Sequence, residues 1–156
     1  MTAKTVNTVT DYAAHADLQG SDGISRGRVL IGEAGGPSVA VLVQAEGLPA
    51  GTHGIHIHTV GRCDAPDFQT AGGHWNPTGK QHGRDNPMGA HEGDLPNIEI
   101  GADGRGNADF TVAGATLAAL LDADGAAIVI HASADDYRTD PSGNSGARIA
   151  CGVISR

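Results

Sequence analysis

The chain has 156 residues, a length that suits one domain with a sizeable apolar core. Ten Lys and Arg stand against eighteen Asp and Glu, a net charge of −8, which argues against nucleic acid and anionic membrane surfaces as partners. Aromatic residues make up only 3%, so the core must come from Val, Ile, Leu and Ala, and 24 glycines without a strict period point to many tight turns.

Met1 to Thr10 carries one lysine and no apolar run, so a signal peptide is not expected there. No stretch approaches the apolar length of a membrane helix. Short β candidates follow at 12–18 and 25–32. A clearer one lies at 38–48, where Val39, Val41 and Val43 alternate with smaller or polar residues. Gly35-Gly36-Pro37 and Pro49-Ala50-Gly51 punctuate the gaps around it. Residues 54–60 read as another strand, with Ile55 and Ile57 toward the core and His56 and His58 sharing the outward face. Such a pair either clamps a metal or decorates a solvated surface.

The strand rhythm then breaks over 61–96, which is rich in Gly, Pro, His and Asp. Structureless stretches of that length in a small domain are functional or disordered. This one holds His74, His82, His91 and Asp94, a nitrogen and oxygen ligand set suited to zinc. Weaker strands follow at 97–101 and 107–112, a short helical composition at 115–122, and a strand at 126–131 that ends on an outward His131. A shorter polar loop, 134–146, precedes the last strand, 148–154. About eight short strands with frequent turns indicate an antiparallel sandwich or barrel. The eight histidines are the outlier, since most crowd into one third of the chain.

Several motifs in order carry a resemblance. They are His56-Ile57-His58, Gly72-Gly73-His74-Trp75-Asn76-Pro77, His91-Glu92-Gly93-Asp94-Leu95, Ile130-His131-Ala132-Ser133-Ala134-Asp135-Asp136, and the run from Gly143 through Arg148 and Cys151 to Ile154. From about Gly51 onward the chain resembles the copper/zinc superoxide dismutases, and before that only the strand rhythm agrees. The resemblance implies an all-β fold, an eight-stranded antiparallel Greek-key β-barrel, flattened and sandwich-like, with two long functional loops in a single domain over 1–156. It implies one copper ion on His56, His58, His74 and His131, and one zinc ion on His74, His82, His91 and Asp94. His74 would bridge the two metals. Four imidazoles suit Cu(II), and three imidazoles with one carboxylate suit Zn(II).

The same resemblance implies that Asp135 links a copper ligand to a zinc ligand, and that Cys63 and Cys151 form a disulfide. His53 would be structural, and His15 has no counterpart and reads as a surface residue. Arg148 would attract and orient a small anion, with His74 moving a proton. The implied reaction is dismutation of superoxide to dioxygen and hydrogen peroxide. The second loop lacks the lysine that often widens the family's positive entrance, and Arg138 and Lys80 are the remaining candidates for that part. A non-catalytic module that buffers or delivers copper and zinc is the competing reading, although such relatives tend to lack a copper ligand or the arginine. Superoxide is the expected partner, with no nucleic acid or membrane. A homodimer and a monomer both stay open. A disulfide points to an exported, periplasmic mature chain, with the cytoplasm as the alternative.

Overall fold

The computed structural model describes residues 12–156, so the reading of Met1 to Thr10 lies outside it. Nine strand segments are present among the described residues: β1 (Ala14–Gln19), β2 (Ser25–Glu33), β3 (Ser38–Ala45), β4 (Gly51–His53), β5 (Ile55–His58), β6 (Ile98–Ile100), β7 (Gly106–Ala113), β8 (Ala127–His131) and β9 (Arg148–Val153). They form a seven-stranded antiparallel sheet, ordered β5-β8-β9-β1-β2-β3-β7, and a two-stranded pair of β4 with β6. β4 and β5 are one extended run interrupted at Gly54. Its first half pairs with β6 and its second half with β8. The turn from β6 into β7 is closed by Gly101 N–H donating to Arg105 O at 2.9 Å. The broken run therefore joins the two ends of the large sheet. Counted once, it gives the expected eight-stranded barrel, with Greek-key crossings between β3 and β4 and between β7 and β8.

Alternation explains the inward faces. In β1, Ala14, Ala16 and Leu18 are buried while Asp17 and Gln19 are exposed. His15 is partly buried on that outer face, and its backbone pairs with Ser155. Ile31, Val41, Ile55, Ile57, Ile128 and Ile130 fill the interior, with Trp75 the single aromatic of the buried cluster. A short α-helix, α1 (Leu117–Leu120), is capped by Thr116, whose hydroxyl accepts from Ala119 N–H at 3.1 Å. Its Leu117 and Leu120 are buried in the barrel core.

The simple inside-outside pattern fails at β5 and β8, where every residue is buried. The expected outward histidines do point away from the core. They are not at the surface, because the two long loops lie over that outer face. A second, smaller apolar cluster of Phe68, Ala71, Ala127, Val129 and Cys151 packs there. The Cys63–Cys151 disulfide fastens the first loop to β9 across 88 positions, with Cα atoms 5.7 Å apart.

Candidate metal centre

The free edge of β5 organises the site. Ile57 N–H donates to Gly93 O at 2.9 Å, and Trp75 N–H donates to Ile57 O at 2.7 Å. These bonds create isolated bridges that set His58 opposite His74 and His56 opposite Asp94. Two histidines from the strand thus meet two groups from the loop by backbone pairing alone. Glycine is required at 93, because a β-carbon there would lie 2.4 Å from Ile57 O. His131, at the end of the adjacent β8, completes the upper part of the cluster.

The imidazoles are held in fixed tautomers. His56 Nε2–H donates to Asp135 Oδ2 at 2.7 Å, His58 Nδ1–H to Gly72 O at 2.8 Å, and His131 Nδ1–H to Gly146 O at 3.2 Å. His82 Nε2–H donates to Asp135 Oδ1 at 2.8 Å. What remains are His56 Nδ1, His58 Nε2, His74 Nε2, His82 Nδ1 and His131 Nε2, all buried and without a hydrogen-bond partner. Buried polar atoms are normally paired, so five orphans in one place demand another partner. A metal ion is the partner that lone pairs on fixed imidazoles select.

The ligand atoms fall into two adjoining groups. His56, His58, His74 and His131 form one, with ligand atoms within 4.8 Å of one another, and His56, His74, His82 and Asp94 form a second within the same span. His56 and His74 belong to both, and His91, expected in the second, stands beside it instead. The Nε2 of His74 faces the first group, while its Nδ1 lies 2.8 Å from Asp94 Oδ1 and 3.2 Å from His91 Nδ1. His91 Nδ1 is 3.3 Å from Asp94 Oδ1, and His82 Nδ1 is 3.1 Å from Asp94 Oδ2 without hydrogen-bond geometry. All seven ligand candidates read from the sequence therefore lie in one constellation. His53 lies beside it as a strut, its ring between the carbonyls of His131 (2.8 Å) and Pro49 (2.7 Å).

Burial tunes these groups toward metal binding. Desolvation lowers His56 and His58, brings His74 to about 4 and brings His131 to about 3, so these rings are neutral near pH 7. For His82 burial acts downward too, but the hydrogen bond to Asp135 and the Asp94 carboxylate 3.1 Å away outweigh it and raise it to about 9. Burial would raise both carboxylates, yet the bond from His74 and the nearby His82 ring at Asp94, and bonds from His56 and His82 at Asp135, hold them well below the usual range. Without metal, His82 is thus a cation shared between two anions, and a divalent ion would displace its proton.

A cavity of about 230 Å³ opens onto the first group, lined by Gln69, His74, His131, Pro141, Ser142 and Arg148 among others. Among the described residues, Arg148 is its only cationic lining residue. Its Nη1–H donates to Phe68 O at 3.0 Å, and Phe68 takes a left-handed φ of 58°. Arg138 instead lies 3.7 Å from Asp85, and Lys80 packs against Gly89, so neither lines the entrance. Among the residues to which the chain read alone gives no role are those acting through backbone: Phe68, Gly72, Gly93 and Gly146. No periodicity or charge pattern marks them.

Fold and site together define a class: a Greek-key barrel carrying a buried, histidine-built double ligand group on its outer face. Residues 25–154 match the sequence family of the copper/zinc superoxide dismutases, and the chain belongs to that family, whose metals are copper and zinc. The match reaches further toward the N-terminus than the motifs that suggested it. The chain is 42% identical to the superoxide dismutase-like protein YojM of Bacillus subtilis, over 97% of this chain and 80% of that protein. It is 42% identical to the superoxide dismutase [Cu-Zn] of Caulobacter vibrioides, over 91% of this chain and 85% of the relative. The crystal structure of a double mutant of a superoxide dismutase-like protein from Bacillus subtilis superposes with a TM-score of 0.85 at 46% identity, covering 89% of this chain and 95% of that one. The copper/zinc superoxide dismutase of Brucella abortus gives a TM-score of 0.75 at 29% identity, covering 91% and 99%.

Proposed function

We propose that the protein dismutes superoxide to dioxygen and hydrogen peroxide at a copper ion joined to a structural zinc through His74. The observation that carries this reading is the set of orphaned nitrogens, four of which belong to a single group. His56 Nδ1 and the Nε2 atoms of His58, His74 and His131 would hold copper. The Nδ1 atoms of His74, His82 and His91, with the Asp94 carboxylate, would hold zinc.

When bound, copper would supply redox cycling, taking one electron from one superoxide and passing it to a second, while zinc would supply fixed charge. The chain's own residues do the rest. Arg148 holds the anion at the entrance, its guanidinium fixed by the Phe68 carbonyl. His74 keeps Nδ1 on the Asp94 side and can carry a proton on Nε2 for delivery to the second, reduced substrate. Water supplies the other proton that hydrogen peroxide requires. The disulfide keeps the segment bearing Phe68 against β9, and so keeps Arg148 in place.

The competing reading is a non-catalytic copper/zinc-binding module, kept in view because the Bacillus subtilis relative is named only as superoxide dismutase-like. The full four-histidine group and Arg148 at its mouth support the enzyme instead. Metal analysis and a superoxide assay on the same sample decide between them. One copper and one zinc per chain with copper-dependent removal of superoxide is expected. Full metal content with no removal beyond buffer would leave the binding module. The disulfide further supports an exported protein in an oxidising compartment, the periplasm above all. Cell fractionation finding it only in the cytoplasm would overturn that placement.

A further inference from the structure

Asp135 is the carboxylate that joins the two ligand groups, reaching His56 through one oxygen and His82 through the other. It lies in a loop, between β8 and β9, with no strand ladder of its own. Its peptide is instead clasped by Asn97. Asn97 Oδ1 accepts from Asp135 N–H at 2.9 Å, and Asn97 Nδ2–H donates to Asp135 O at 3.0 Å. Asn97 N–H in turn donates to the Tyr137 hydroxyl at 2.9 Å, and Tyr137 N–H donates to Asp135 Oδ1 at 2.7 Å. The three residues close a circuit.

Each member is anchored elsewhere. Asn97 immediately precedes β6, so the barrel holds it. Tyr137 adopts a left-handed φ of 66°, a conformation that a bulky residue rarely takes without compensating contacts. That turn directs its carbonyl to Asp85 N–H at 3.0 Å, on the loop that carries His82. Two residues earlier on that loop, Gly83 N–H donates to Asp94 Oδ2 at 3.0 Å. Tyr137 therefore touches the bridging carboxylate, the barrel and the zinc-side loop with its N–H, hydroxyl and carbonyl.

We infer that Asn97 and Tyr137 are positioning residues for both metals, setting the orientation of Asp135 and through it the spacing between the copper and zinc ligands. This rests on the metal reading above. Outer partners of metal ligands commonly change affinity 10–100-fold when removed. A mere loop staple would cost the metal-free and loaded protein equal stability. A positioning residue costs metal affinity and disturbs both sites from one substitution.

The test uses the full chain after metal removal, with Co²⁺ as the spectroscopic probe of the zinc site in competition with a chelator. Tyr137→Phe deletes one hydroxyl and keeps the ring, and Asn97→Ala deletes the clasp. Both are expected to weaken cobalt binding about tenfold or more. Both should also shift the Cu²⁺ electron paramagnetic resonance signal, with a smaller thermal loss in the metal-free chain than in the loaded one. Thr52→Val serves as control, because it removes an exposed bond to Glu99 at 2.6 Å on the neighbouring β4–β6 pair without touching Asp135. Unchanged cobalt affinity in Tyr137→Phe, equal thermal losses with and without metal, or an equal effect of Thr52→Val would each overturn the inference. Should Asn97→Ala fail to fold, Tyr137→Phe decides alone. Wild-type protein that took up neither cobalt nor copper would overturn the metal reading itself, an outcome visible before any variant is compared.

Discussion

Gly143 has a φ of 70° and sits against the bridging carboxylate, where a β-carbon would lie 1.9 Å from Asp135 Oδ1 and 2.7 Å from His82 Nε2. Neither atom can retreat without breaking the bond between them. Gly143→Ala should therefore weaken zinc binding by about 10- to 100-fold in a chelator competition. Wild-type affinity in that variant would mean that the Asp135–His82 bond does not hold the zinc ligand in place. Arg148 poses a different problem. The chain as a whole repels superoxide with its charge of −8, and the entrance cavity offers one cation to offset this. Arg148→Ala should slow turnover by about tenfold or more at low salt and flatten its dependence on ionic strength. A rate and salt profile like those of the wild type would remove the arginine from substrate capture.

The first long loop is held along the edge of β5, through Ile57, Trp75 and Gly93, at β9, through the disulfide and Arg148, and at the second loop, through Asp85 and His82. Closing 88 positions with a covalent link is worth roughly 4 to 5 kcal/mol by the chain-entropy argument. Reduction should lower the thermal midpoint by about 10–20 °C, and the intact mass should rise by two hydrogens. A midpoint unaffected by reduction would show that the hydrogen-bonded contacts retain the loop without the disulfide. The same element marks the limit of what the chain reveals when read alone. β3 is legible because Val39, Val41 and Val43 are buried in the core while Ser38, Leu42 and Gln44 are not. The ligands are legible because histidine is rare and these cluster. The pairing of His58 with His74 and of His56 with Asp94 is not legible, since it depends on backbone bonds at Gly93 and Trp75 that follow no period. Nor is the Asn97 clasp, made by an ordinary polar residue 38 positions from its partner.

Across the molecule the metal-free state should carry a distinct pH signature. His74 and His131 have folded values of about 4 and 3, below the 6.5 of an unperturbed ring. The unfolded chain takes up protons first as pH falls, so their contribution is complete above 6.5 and is lost toward 3. The depressed carboxylates of Asp94 and Asp135 act in the same direction at the lower end. His82 has the opposite sign: raised to about 9, it favours the folded state below 6.5 and loses that contribution as pH rises through 9. Chelator-treated protein should accordingly be most stable near pH 6.5 and fall away on both sides in thermal melts from pH 4 to 9. A flat profile would contradict these assignments.

β5 and β8 are buried on both faces, and the two faces serve different ends. Ile55, Ile57, Ile128 and Ile130 hold the barrel together, while His56, His58 and His131 hold the site. Neighbouring positions along these strands should therefore fail in different ways when every residue is replaced in turn. At the isoleucines, polar replacements should remove soluble protein from the cell. At the histidines, alanine should leave abundance largely intact and remove metal. A phenotype alternating with a period of two, read from abundance and metal content together, would separate the part of the strand that folding selects from the part that chemistry selects.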